Sequence, residues 1–302
     1  MPLRKFRATA WAALIAAAFA APARAESAAA APGFEARITD AARALEHEPR
    51  FKGLTEQQRR ERIEFVAGNV LFALVHEVGH MLISEIGLPV LGREEDAADA
   101  FATLSGLRMG GAFSDRVLTE SARGWFMSDL RSQTEKMPMA FYDEHGLDKQ
   151  RAYNIVCLMV GANPEKFAAL ADKTGLPQER QGTCQGDFSN ASWSWEKALA
   201  PHLRKPDQTR TKIDVSYADA GDKFDIFSRG FRKMMLLEVV AGHLSDRYAW
   251  RAPVKLEMRT CDEPAARWDL STRSITVCYE LAADFGQLYR DYSEALRPPG
   301  TR

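Results

Sequence analysis

The chain has 302 residues, of which 46% are hydrophobic and 27% charged, a balance that fits a folded globular protein and excludes a low-complexity chain. Lys and Arg number 40 against 41 Asp and Glu, for a formal net charge of −1. With no basic stripe in that near-balance, a nucleic-acid footprint and a polybasic membrane patch are both excluded.

At the start, Arg4, Lys5 and Arg7 precede an apolar run from Ala8 to Ala21 broken only by Thr9, and Ala23-Arg24-Ala25 has the small-x-small form that signal peptidase cuts. The run is short for a bilayer span. Residues 1–25 therefore read as a signal peptide cut after Ala25, which predicts a periplasmic or secreted protein with no stable membrane insertion. A retained anchor is the alternative. Cleavage leaves 36 basic and 41 acidic residues, a balance of −5. Residues 26–33, Ala-rich with Pro32-Gly33, read as a flexible lead-in, 34–297 as a single domain, and 298–302 as a tail.

Periodicity predicts helices over 34–47 and 55–86, separated by a break at Pro49 and Gly53. Phe65 to Ile83 is apolar enough to raise a membrane question. Asn69, His76, Glu77 and His80 fall inside it, which indicates a buried core helix instead. Gly87 and Pro89 stop that helix, and the next, over 94–107, ends before Gly110-Gly111. Further helices are predicted at 115–135, 148–160 and 164–173. Residues 174–222 are richer in Gly, Pro and polar groups, with Trp193 and Trp195 as packing anchors. One more helix runs over 223–246. Strand signals come only after it: Val254–Met258 and Ser274–Val277 alternate with period two, with Asp269 and Ser271 in the turn between them. A last helix covers 280–295. The fold class is α+β and helix-dominated, with a small C-terminal β-hairpin.

The four cysteines are Cys157, Cys184, Cys261 and Cys278. An even number in an exported chain predicts two disulfides, of which three connectivities exist. Nearest-neighbour pairing, Cys157 with Cys184 and Cys261 with Cys278, is the simplest, each worth about 3 kcal/mol by loop closure. A four-Cys zinc site is the weaker alternative, since no C-x-x-C pair is present.

The residues that carry chemistry are His76-Glu77-Val78-Gly79-His80. On a helix, positions i and i+4 share a face, so both imidazoles can address one ion while Glu77 reaches a water beside it. Two histidines packed in a core are the plainer alternative, but three buried polar groups would then need other partners. Fifteen residues after His80 comes Glu95-Asp96-Ala97-Ala98-Asp99. Glu95 and Asp99 share a helical face, Glu95 as a third ligand and Asp99 as the acceptor that orients a ligating imidazole. Three protein ligands leave zinc's fourth position open, as a hydrolase requires. An acidic helix start favoured by the dipole is the alternative. The reading is one Zn²⁺ per chain on His76, His80 and Glu95.

A third region, Asp143-Glu144-His145 followed by Gln150-Arg151-Ala152-Tyr153, offers donors for a developing oxyanion. His145, oriented by Asp143 or Asp148, comes first, then Tyr153 and Arg151. A polar loop capping the next helix through Asp148 is an equal alternative. His47, His202 and His243 stand isolated, and the Asn190-Ala191-Ser192 sequon reads as chance.

An H-E-x-x-H string followed by a Glu-x-x-x-Asp helix resembles the gluzincin peptidases, and the Glu-x-x-Ala-Asp form is similar to that of the membrane-embedded prenyl-protein proteases. More narrowly, His76 to Leu104, with Leu91 to Asp99 within it, Asp143–Gly161 and Thr276–Leu281 resemble the bacterial metallopeptidases grouped under domain of unknown function 4344. The resemblance implies a zincin-like active-site helix, zinc on His76, His80 and Glu95, Glu77 as general base, and a peptide or protein substrate. Gluzincins place a sheet before the active-site helix, whose edge strand aligns the peptide. Here no strand is predicted upstream of His76, so a strand of the C-terminal hairpin would have to serve. The function expected is an exported zinc metallopeptidase. The alternatives are a non-catalytic zinc-binding scaffold and a metal-dependent hydrolase of a non-peptide amide.

Overall fold

The computed structural model describes residues 31–295. The expected signal peptide at 1–25, residues 26–30 of the expected lead-in, residues 296–297 and the expected tail at 298–302 lie outside the described residues. Residues 31–33 open a helix, α1 (Ala31–Ala44). A 3₁₀ turn at Pro49–Phe51 leads to α2 (Glu56–Ile86), which starts on a capping box between Thr55 and Gln58 and ends on Gly87 in the left-handed region at φ 68°. Then follow α3 (Glu94–Met109), α4 (Gly111–Thr134), α5 (Asp148–Ala162), α6 (Pro164–Thr174), the short α7 (Gln178–Gln181) and α8 (Cys184–Leu199). The remainder is β1 (Ile213–Tyr217), α9 (Gly221–Met234), α10 (Leu236–Arg247), β2 (Val254–Arg259), β3 (Ala266–Asp269), β4 (Ser274–Cys278) and α11 (Tyr279–Tyr292).

Helix α2 is the axis of the fold. By length and composition it could cross a membrane, but 78% of its most apolar stretch is buried inside the protein. The helices α1, α3, α4 and α11 and the strands β3 and β4 pack around it. Phe65, Val70, Leu74, Met81 and Leu82 are fully buried by them, which accounts for an apolar run that no single amphipathic face would need. A second core joins α4, α5, α6 and α8 around Val156, Met159 and Phe167. There the disulfide Cys157–Cys184 ties α5 to α8, and Gly161 lies so close to the Cys184 carbonyl that a β-carbon would collide with it.

The four strands form one sheet in the order β1-β2-β4-β3. β1 pairs with β2 and β2 with β4 in parallel, while β3 and β4 form an antiparallel hairpin. The C-terminal hairpin is thus present, but its strands are β3 and β4. The two strands read from alternation, β2 and β4, are parallel neighbours, and the segment read as turn contains β3. That strand alternates, but over only four residues with two apolar positions, too short a run to stand out. β1 also alternates, as Ile213, Val215 and Tyr217 against Asp214 and Ser216, but it lies in the polar stretch 174–222, which also holds α8. The helix predicted over 223–246 breaks at Met235, whose φ of 54° ends α9 and starts α10. The Tyr217 hydroxyl accepts from the Leu237 N–H freed there. Trp195 is buried, with its Nε1 donating to the Ala97 carbonyl, whereas Trp193 faces solvent and anchors nothing.

Candidate metal centre

The centre is built where α2 crosses α3. Gly79 makes the crossing close: a β-carbon there would sit 3.0 Å from the Ala98 Cα. Side chains that share one face of α2 therefore meet those on the first turns of α3. His76 Nε2 and His80 Nε2 face each other at 3.1 Å. Glu95 closes the triangle, with Oε2 3.0 Å from His76 Nε2 and Oε1 3.3 Å from His80 Nε2. His145, from the segment between α4 and α5, reaches the same carboxylate, its Nε2 2.9 Å from Glu95 Oε2.

The outer nitrogens are held by carboxylates. His76 Nδ1 is 2.8 Å from Asp99 Oδ1, and His80 Nδ1 is 2.8 Å from Glu94 Oε1. Asp99 is in turn gripped by Arg151, whose Nε and Nη2 donate at 2.7 and 2.8 Å and whose guanidinium lies 3.7 Å over the Trp125 ring. With protons fixed on Nδ1, both imidazoles turn Nε2 lone pairs toward the Glu95 oxygens. Lone pairs converging at 3.0–3.3 Å repel unless a cation sits among them. Glu95 Oε2 is buried and receives no hydrogen bond of acceptable angle despite its two imidazole neighbours. Donors held at about 2.0–2.1 Å around a tetrahedral zinc are separated by roughly 3.3 Å, so the donor set and its spacing fit such an ion.

The electrostatics agree. Burial disfavours a charge on His80, yet the facing Glu95 and Glu94 carboxylates outweigh it and push its pKa up to about 9. His76 is raised in the same way, against burial, by Asp99 and Glu95. Glu95 is held far below the usual carboxylate range, burial being overcome by His145, His76 and His80. Asp99 is lowered to about 2, burial again losing to His76 and Arg151. Protons can thus supply the missing positive charge, and a metal ion can replace them.

Glu77 lies on the same helix but outside the donor triangle. Its Oε2 accepts from the Trp268 backbone N–H at 2.8 Å, and burial raises its pKa. Trp268 belongs to β3, the outer strand of the sheet, and its Nε1 donates to Ser84 Oγ on α2 at 2.7 Å. An edge strand thus lies beside Glu77, and it comes from the C-terminal side of the chain.

The model of the family described as putative metallopeptidase, domain of unknown function 4344, matches residues 41–199. The chain belongs to this family. Comparison with curated proteins and with solved structures gives no match. The matched stretch holds every donor of the cluster, with Asp99 and Arg151, and stops before the sheet that brings Trp268 to Glu77.

His76, Glu77, His80, Glu95, Asp99 and His145 lie together in the structure, with Asp143 beside His145 Nδ1. Tyr153 does not. Its hydroxyl donates to the Thr174 carbonyl and its ring packs on Phe126, because the α5 face that carries it turns toward the second core. Arg151 is no oxyanion donor either, since Asp99 engages it from two sides. Three contacts were missed: Glu94 on His80, Arg151 on Asp99, and Trp268 on Glu77. The first had a signal, as the residue beside Glu95 on the same helical turn. A backbone N–H from a strand 191 residues away has none.

Proposed function

We propose that this chain is an exported zinc-dependent metallopeptidase in which His76, His80 and Glu95 hold one Zn²⁺ and Glu77 is the general base. One observation carries the reading: three donors at 3.0–3.3 Å from one another, with a further buried carboxylate, Glu77, beside them and not among them. A site that only stabilised a scaffold has no use for that extra carboxylate. The ion would supply Lewis-acid chemistry, polarising a carbonyl and lowering the pKa of water to about 7. Glu77, kept basic by burial, takes the proton from the attacking water and delivers it to the leaving amine. The Trp268 N–H holds one Glu77 oxygen and leaves the other free for that transfer. Of the three donors read for the carbonyl oxygen, only His145 reaches the cluster, and we assign it that place. Export is supported by the signal-peptide form of residues 1–25 and by two disulfides with no free cysteine among the described residues. Residues 34–297 then form the single mature domain.

The scaffold reading draws on one observation, the presence of a third imidazole, His145, as a fourth protein donor, since closed four-donor sites are usually structural. Metal analysis of the purified mature protein, followed by peptide-library digestion with and without chelator, separates the two. One zinc per chain with chelator-sensitive cleavage is expected. A fully zinc-loaded protein that cuts nothing in a diverse library would overturn the peptidase reading.

A further inference from the structure

His145 is set up differently from an oxyanion donor. Its own backbone N–H and its Nδ1 both face Asp143 Oδ1, at 2.9 and 3.1 Å. A carboxylate on Nδ1 keeps the proton there, so Nε2 presents a lone pair and not an N–H. That nitrogen lies 2.9 Å from Glu95 Oε2, the oxygen that also faces His76 Nε2, yet at an angle that makes no hydrogen bond to it. The three donor atoms of His76, Glu95 and His145 all lie within 4.8 Å of one another. Two acceptors come that close only around a shared positive charge; the angle does not suit a proton bridging Nε2 and Oε2, whereas a metal ion already facing His76 and Glu95 would satisfy all three.

We propose that His145 Nε2 is a fourth protein donor to the metal held by His76, His80 and Glu95, and that it is exchangeable, so that it closes the site at rest and leaves when another ligand enters. The inference rests on the metal-centre reading above. Exchange follows from how differently the four donors are mounted. His76, His80 and Glu95 stand on two packed helices, their side chains 6%, 15% and 15% exposed, whereas that of His145 is 39% exposed. The segment between α4 and α5 has no helix or strand over 135–147 and turns Met139, Phe141 and Tyr142 to solvent, Tyr142 being 92% exposed. Apolar packing therefore does not hold residues 139–142, and the half-exposed His145 that follows them can leave without opening the core. A permanent structural ligand would be buried with the rest. Once displaced, the imidazole lies next to the incoming oxygen, and by taking a proton on Nε2 it can donate to that oxygen, which reconciles a ligand role at rest with a donor role toward substrate.

The test compares wild type with His145→Ala by competitive zinc titration and by the visible spectrum of the Co²⁺-substituted protein, with acetohydroxamate as the entering ligand. Circular dichroism checks the fold, which truncation of a half-exposed loop side chain should leave intact. Zinc affinity should fall by more than the roughly 10–100-fold that loss of an outer hydrogen-bond partner costs. The Co²⁺ bands should shift, and acetohydroxamate should perturb both spectra, at lower concentration in the variant. Wild-type zinc affinity and an unchanged Co²⁺ spectrum in His145→Ala would overturn the assignment. A wild-type spectrum indifferent to saturating acetohydroxamate would overturn exchange. Neither readout uses hydrolysis, so a protein that cuts no peptide would defeat the peptidase reading and leave this one to be decided on its own data.

Discussion

Arg151, Asp99 and His76 form a chain in which each group fixes the next, and its far end decides how the imidazole points. Arg151→Lys keeps the charge but loses the two-pronged grip and the stacking on Trp125. It should weaken zinc binding by about 10–100-fold in a chelator competition, as should Asp99→Asn. Unchanged affinity in both would remove this chain from the account of the site. Gly79 acts by absence of a side chain. In Gly79→Ala the new methyl meets the Ala98 backbone, so α2 and α3 must part by a few tenths of an ångström, costing about 1–3 kcal/mol in urea unfolding and weakening zinc binding as well. At this scale the sequence was legible wherever one helix carries the group. His76, Glu77 and His80 share a turn of α2, and Glu95 and Asp99 share a turn of α3, so spacing alone places them. Tyr153 sits two residues after Arg151, yet helical rotation sends one side chain to Asp99 and the other to the second core, and nothing in the sequence tells which face is which.

Among the elements, β3 matters most to the chemistry and was least visible. It is short, half charged and at the edge of the sheet, and it owes its place to α2 on one side and β4 on the other. The disulfide Cys261–Cys278 closes the loop that contains it, the two positions being 17 apart in sequence. Replacing both cysteines by Ser should cost about 3 kcal/mol of stability by the loop-closure argument. It should also slow hydrolysis while leaving zinc affinity near wild type, because the loop carries Trp268 and no donor. A variant with weakened zinc affinity but the wild-type rate when saturated with zinc would show that β3 supports the metal and not Glu77. The long periodic helices were read nearly to their ends because caps such as Thr55 and Gly87 mark them. The break at Met235 was not, since a left-handed methionine is imposed by packing and leaves no mark in composition.

For the whole molecule, the cluster makes stability depend on pH and metal together. The folded-state pKa of His80, about 9, lies above the ordinary 6.5, so its contribution to the metal-free protein is fully present below about 6.5 and is lost as pH rises through 9. His76 is shifted in the same direction. Metal-free protein should therefore melt at a lower temperature at pH 9.5 than at pH 6.5. Zinc-loaded protein should not show this loss, because the ion holds the imidazoles neutral at both. Equal slopes with and without zinc would mean that the cluster is not the ion's site. The central claim, that the chain hydrolyses peptides through Glu77 at this centre, is tested most directly by the hydrolysis rate of zinc-loaded Glu77→Gln beside zinc-loaded wild type near pH 7. The substitution keeps size and helix preference, and Gln can still accept from the Trp268 N–H, so zinc content and melting temperature should barely move. The rate should fall by about 10²–10⁴-fold, the usual loss with a positioned general base. A zinc-loaded Glu77→Gln protein that cuts as fast as wild type would contradict the account.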